Sequence, residues 1–154
     1  MANTTDLTKL LEEAAAQWGA ETVQAIKNKI SEQKIIWEEN LANSIAYKQT
    51  EGTDITFNMY SYGKYQDEGT GIFGSKKTPI PKSSIKGIAW FIEPWASSKG
   101  LNAWAVATSI QRHGGIEARP FFKSTIEIMV PKLNEYIDAA YKDFMDKIVE
   151  DTNN

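Results

Sequence analysis

The chain has no cysteine and a single histidine, His113, among its 154 residues. Without thiols there can be no disulfide, no thiolate nucleophile and no zinc–thiolate site, which agrees with folding in a reducing cytoplasm. One imidazole cannot form a metal-binding pair, so only an all-carboxylate site is left, and neither a metal nor any other cofactor is expected. Long apolar runs are missing as well. No stretch reaches the roughly 18 uncharged apolar residues of a membrane span, and the opening MANTTDLTKLLEEAAAQW lacks the basic-then-apolar order of a secretory leader. The expectation is a soluble, uncleaved protein with no membrane partner.

Excess positive charge is also absent, since 17 Lys and Arg face 20 Asp and Glu for a net charge of −3. Nucleic-acid binding driven by counterion release needs clustered cations. Only Lys76, Lys77, Lys82 and Lys86 form a modest cluster, which reads either as a solvated basic loop or as a contact with DNA passing nearby. What is present is apolar surface: 42% hydrophobic and 11% aromatic residues. That is enough to offset the ordering entropy and to bury roughly two thirds of the unfolded surface in one domain spanning residues 1–154.

Residues 1–43 read as helical. Leu7, Leu10, Leu11, Ala14 and Trp18 recur at helical spacing, with Thr5 or Asp6 as cap, and a second stripe runs Val23, Ile26, Ile30, Trp37, Leu41. Gly19 falls between the stripes, which predicts either one kinked helix or two helices end to end. Over residues 44–60 the period drops to two, with Ile45 and Tyr47, then Ile55, Phe57 and Met59, separated by Thr50-Glu51-Gly52-Thr53, a hairpin signal. Gly63, Gly69, Gly71 and Gly74 make residues 61–83 a long flexible loop. Residues 84–115 form a helical insert: one helix capped by Ser83 or Ser84 and bent or bounded at Pro94, and a second from Leu101 to His113 ended by Gly114-Gly115. Pro120 opens a last amphipathic helix within residues 116–149, its stripe running from Phe122 to Ile148 and bent or interrupted at Pro131. The class is α+β.

Each chemical constellation has a plain alternative. His113 sits at a helix C-terminus, where an imidazole complements the exposed carbonyls, and Ser109 lies one turn before it. Asp67-Glu68 has the residue types of an acid/base pair, although adjacent loop carboxylates are usually solvated and point apart. The surrounding glycines match neither phosphate-cradling pattern. Trp90, Phe91, Trp95 and Trp104 crowd more aromatic surface than one short helical pair buries easily, so they serve core packing or a partner. Arg119-Pro120-Phe121-Phe122 combines an extended residue, a preformed helical turn and two anchors.

In order along the chain, Asn40-Leu41-Ala42-Asn43-Ser44-Ile45, Tyr65-Gln66-Asp67-Glu68-Gly69-Thr70 and Ala118-Arg119-Pro120-Phe121-Phe122 resemble the signatures of the head-to-tail joining, or tail-completion, proteins of long-tailed phages. Two departures stand out. Glu38-Glu39-Asn40 replaces an acidic residue, a threonine and a glycine ahead of the leucine, and Lys82 to Gly115 is a larger helical insert. The resemblance implies a non-enzymatic virion protein of the neck or tail region, assembled in the host cytoplasm. It would form a homo-oligomeric ring, touch portal, neck or tail proteins, and lie near packaged DNA. Its interaction residues would be Tyr65, Asp67, Glu68, Gly69, Thr70, Phe73, Trp90, Trp95, Arg119 and Phe121, with the Tyr65–Phe73 loop becoming ordered on docking. The alternatives are a protein-interaction module outside any virion and a small hydrolase using Asp67, Glu68 or His113.

Overall fold

A computed structural model describes residues 3–33 and 38–153; Trp37 of the second stripe lies outside the described residues. The elements run α1 (Thr4–Gln33), α2 (Glu38–Ser44), β1 (Ala46–Thr50), β2 (Asp54–Asn58), α3 (Tyr62–Glu68), α4 (Ile85–Ser98), α5 (Ala103–Arg112) and α6 (Phe121–Asn153), with 3-10 turns at Gly71–Phe73 and Lys82–Ser84. The class is α+β, with a long N-terminal helix, a long C-terminal helix and, among the described residues, a two-stranded antiparallel sheet. No helix among the described residues is long and apolar enough to cross a membrane.

The cap of α1 is Asn3 rather than Thr5 or Asp6. Asn3 Oδ1 accepts from the backbone N–H groups of Thr5 (2.9 Å) and Asp6 (3.2 Å), and the Asp6 carboxylate accepts from the Asn3 N–H (3.0 Å). This reciprocal box satisfies donors that a helix start leaves open. The helix then continues through Gly19 as one element. Space explains that glycine: a Cβ there would lie 2.9 Å from the Tyr47 ring, so its absence lets β1 rest on the helix.

The last helix, α6, runs antiparallel to α1. Near its start Phe121 clusters with Ile26 and Ile30, and further along the Trp18 indole N–H donates to the Met129 carbonyl at 2.7 Å. At 1.5 Å per residue the two helices are about 45 and 50 Å long. Pro131 lies inside α6 and Pro94 inside α4, and neither ends its helix. Pro131 withholds a donor from the preceding turn, a loss that packing along α1 outweighs.

Leu41 and Ile45 complete the buried cluster of Ile26, Ile30 and Phe121, and the hairpin lies against α1. Its register pairs Ala46 with Asn58 and Thr50 with Asp54. Two strands alone are marginal in water, so the hairpin depends on α1. Phe57 meets Trp18 and Phe122 edge-on at centroid distances of 5.7 and 6.2 Å, and Gln49 Nε2 donates to the Glu12 carbonyl at 3.0 Å.

A second apolar cluster belongs to α4 and α5, where Ala89, Ala96, Ala103 and Ala107 let the two helices approach closely around Ile85. Asn102 caps α5, accepting from the Ala105 N–H at 2.9 Å. The helix ends at His113, and the Gly115 N–H donates back to the Ile110 carbonyl at 3.0 Å.

The expectation of a long flexible loop over residues 61–83 is overturned. Helix α3 occupies its first part, and the stretch after it is tied to the segment before α6. The Thr70 N–H donates to the Ile116 carbonyl (2.9 Å), the Ile116 N–H donates to Thr70 Oγ1 (2.8 Å), and the Ile72 N–H donates to the Gly114 carbonyl (2.9 Å). Gly71 and Gly115, both at positive φ, are there because two backbones touch, so the glycines serve proximity and not motion.

Candidate functional site

The three motif segments meet at one joint beneath the start of α6. Pro120 precedes that helix and has no polar side chain to cap it, which leaves the first N–H groups open. Asp67, from α3, fills the role from a distance: one carboxylate oxygen accepts from the N–H groups of Phe122 (2.7 Å) and Lys123 (3.1 Å). Negative charge at a helix N-terminus is also favoured by the helix dipole. Beside it the Arg119 N–H donates to the Gln66 carbonyl (2.8 Å), and Arg119 Nη1 donates to the carbonyl of Gln33, the last residue of α1 (2.9 Å). Leu41 and Ile45 share the buried cluster with Phe121, and Ser44 Oγ accepts from the Tyr60 N–H at 3.0 Å. The joint therefore locks the C-terminus of α1, the hairpin, α3 and the N-terminus of α6 together.

This placement corrects several expected interaction residues. Phe121 is fully buried and Asp67 is 8% exposed, so these two shape the subunit from within, while Gly69, whose N–H closes α3 on the Tyr65 carbonyl, and Thr70, whose N–H donates to the Ile116 carbonyl, are half-buried. Within one chain the Tyr65–Phe73 segment is helical in its first part and hydrogen-bonded to residues 114 and 116 in its second. Asp67 and Glu68 do not form a pair facing a common substrate, because Asp67 is turned into the joint while Glu68 is exposed. Burial pushes the Asp67 carboxyl above its ordinary value, the N–H donors of Lys123 and Phe122 pull it back, Glu68 adds to the rise and the Lys123 charge opposes it.

A raised carboxyl favours the folded state most where it is protonated. Its contribution is complete below the unfolded value of about 3.9 and is lost as pH rises through the higher folded value. Relative to Asp67→Asn, the wild-type chain should lose stability over that acidic window as pH increases. Urea unfolding of both proteins at several pH values checks this; parallel pH profiles would refute it.

His113 is held by its own helix. Its Nδ1 lies 2.7 Å from the Ser109 carbonyl and 3.3 Å from Ser109 Oγ. A carbonyl can only accept, so that bond requires the proton on Nδ1, and the ring nitrogen then has no lone pair with which to activate Ser109. Among the described residues there is no group of three or more His, Asp or Glu side chains placed to hold a metal ion.

Exposed aromatic surface dominates the other side of the insert. Trp90 is 81% exposed, Trp104 55% and Tyr60 53%, and all three line an open groove of about 850 Å³ bounded by α4 and the start of α5. Tyr65 and Phe73 are also exposed. Trp95 is half-buried in a second cleft of about 560 Å³, walled by Ile88, Phe91, Ile92, Val106 and Ile110; its indole N–H has no acceptor among the described residues. Phe91 links the insert to α3, meeting Tyr62 and Tyr65 edge-on at 6.4 and 5.8 Å. Burial pushes the Tyr62 hydroxyl well above its ordinary value, and neighbouring Tyr60 adds to the shift. Sequence reasoning placed Trp90, Trp95 and Trp104 in one aromatic cluster for core or partner, carried only the first two into the expected interaction residues, and left out Tyr60, which follows a strand and has no pattern of its own. No protein-family model matches this chain, and neither a curated protein nor a solved structure matches it.

Proposed function

We propose that the chain is a structural subunit of the neck or tail-completion ring of a phage particle, linking portal or connector to tail through protein–protein contacts. The observation that carries this reading is the aromatic groove. Trp90 and Trp104 on the α4/α5 pair, with Tyr60 beside them ahead of α3, present large, stiff side chains to solvent, the composition of a docking surface and a waste of apolar area in an isolated monomer. Asp67 and His113 are engaged at helix ends and Glu68 is exposed apart from them, which favours adhesion over bond chemistry. The ordered resemblance of three sequence segments to phage joining proteins supplies the viral context. The three segments form one joint, which gives a physical reason for their appearing together.

Disrupting the gene in the phage is expected to leave filled heads and unattached tails, counted by electron microscopy of the lysate. Trp90→Asp combined with Trp104→Asp should give the same separation of heads and tails while the purified variant keeps its circular dichroism spectrum, because both side chains are exposed. Normally joined particles in the absence of the protein would overturn the reading.

A further inference from the structure

The charges of the chain are segregated between its two ends. Residues 69–116 carry five lysines and one arginine against the single acid Glu93. The opposite end, residues 4–17 of α1 with 138–153 of α6, carries eight acidic side chains against three lysines. The basic region adjoins the start of α6 through the joint, and the acidic region is the far end of the same helix, so one copy cannot bring the two together.

Each region also has an apolar feature left open. On α6, Tyr141, Met145 and Val149 follow one another at single-turn intervals on one side of the helix and are 47%, 55% and 55% exposed. In the insert, the Trp95 cleft of about 560 Å³ is apolar, and exposed Lys82 and Lys86 flank its lining residues Ser83, Ser84 and Gly87. A helix with an apolar stripe and acidic flanks lying in an apolar groove with basic flanks is a recurrent recognition mode.

We infer that copies of this chain associate head to tail, the acidic end of the α1/α6 pair of one copy seating its Tyr141, Met145 and Val149 stripe in the Trp95 cleft of the next. This rests on the assembly reading and names the surfaces that would build the ring. A second copy is the occupant favoured by charge complementarity, since every copy carries both halves. Symmetric pairing through two acidic ends would instead set like charges together. Because the two surfaces differ, the contact is heterologous and repeats around a ring or along a filament.

The test uses the full chain with two charge reversals, Asp143→Lys/Asp146→Lys/Glu150→Lys and Lys76→Glu/Lys82→Glu/Lys86→Glu, all at exposed positions. Light scattering should find the wild type above its 17.3 kDa monomer mass. Each variant alone, with an unchanged circular dichroism spectrum, should associate about tenfold or more weakly, and an equimolar mixture of the two should recover association. Because the chain has no cysteine, Gly87→Cys/Val149→Cys provides a second reading: oxidation should yield a ladder beyond the dimer. A monomeric wild type, reversals that leave association unchanged, a mixture that stays dissociated, or cross-linking that stops at dimers would each overturn the inference. A monomeric chain whose loss still separates heads from tails defeats this interface and leaves the assembly role standing. A head-to-tail oligomer whose loss leaves particles joined defeats the assembly role alone.

Discussion

Replacing Phe121 with alanine should lower the free energy of unfolding by about 3–5 kcal/mol, the range for removing a large aromatic side chain from a packed core. Its side chain is wholly shielded and touches the cluster of Ile26, Ile30, Leu41 and Ile45, which comes from α1, α2 and the residue before β1. The cavity would open where four elements are joined, and the Arg119 and Asp67 bonds around it limit how far the walls can collapse. Against a typical total of about 5–15 kcal/mol, such a loss takes a large share of the stability. Phe122→Ala is the control, because Phe122 is half-buried beside that cluster and should cost clearly less. Urea unfolding followed by tryptophan fluorescence measures both. A Phe121 loss below about 1 kcal/mol would mean that the site relaxes freely and is no core.

Gly115→Ala should destabilise the chain by a comparable amount through a different cause. At φ +135° an L side chain is strained, at about 1–3 kcal/mol. The added Cβ would also overlap the Thr70 carbonyl, a backbone atom that cannot swing aside, so overpacking adds about 1–3 kcal/mol. Gly52→Ala separates the two causes. Its φ of +68° is also positive, but nothing lies within 4 Å of the new Cβ, so only the smaller left-handed penalty of about 1 kcal/mol applies. Equal losses at the two positions would show that the crossing of residues 70 and 115 is loose. Thermal unfolding should rank Gly115→Ala well below Gly52→Ala.

The fold was legible in the sequence where its signal is local. The stripes of α1 and α6, the alternation from Ile45 to Met59, and Gly114-Gly115 after α5 each act through neighbours a few residues away, and each produced its element. Residues 61–83 misled because glycine carries two meanings. Composition reports only that the backbone is permissive, whereas Gly71 and Gly115 are fixed by contact with chain remote in sequence. Asp67 was misread for a related reason: its partners are N–H groups of residues 122 and 123, and no local pattern announces a cap delivered from another helix. Phe121 and Trp90 show the same limit for burial, since an aromatic residue on a helix suits a core or a docking face equally well. Their exposures, 0% and 81%, follow from where α1 and the insert come to rest.

The pairing of Ile72 with Gly114, and of Thr70 with Ile116, has a consequence for how such a chain can change over time. The polypeptide departs from the body of the subunit and returns to it at one crossing, so what lies between is a closed excursion with its own apolar filling, leaning on α3 through Phe91. Lengthening or shortening that excursion alters the closure entropy only slowly, by about 0.6 kcal/mol per doubling. The exposed Trp90, Trp104 and lysines it displays are thus free to be exchanged for others fitted to a different neighbour, while the framework beneath keeps folding as before.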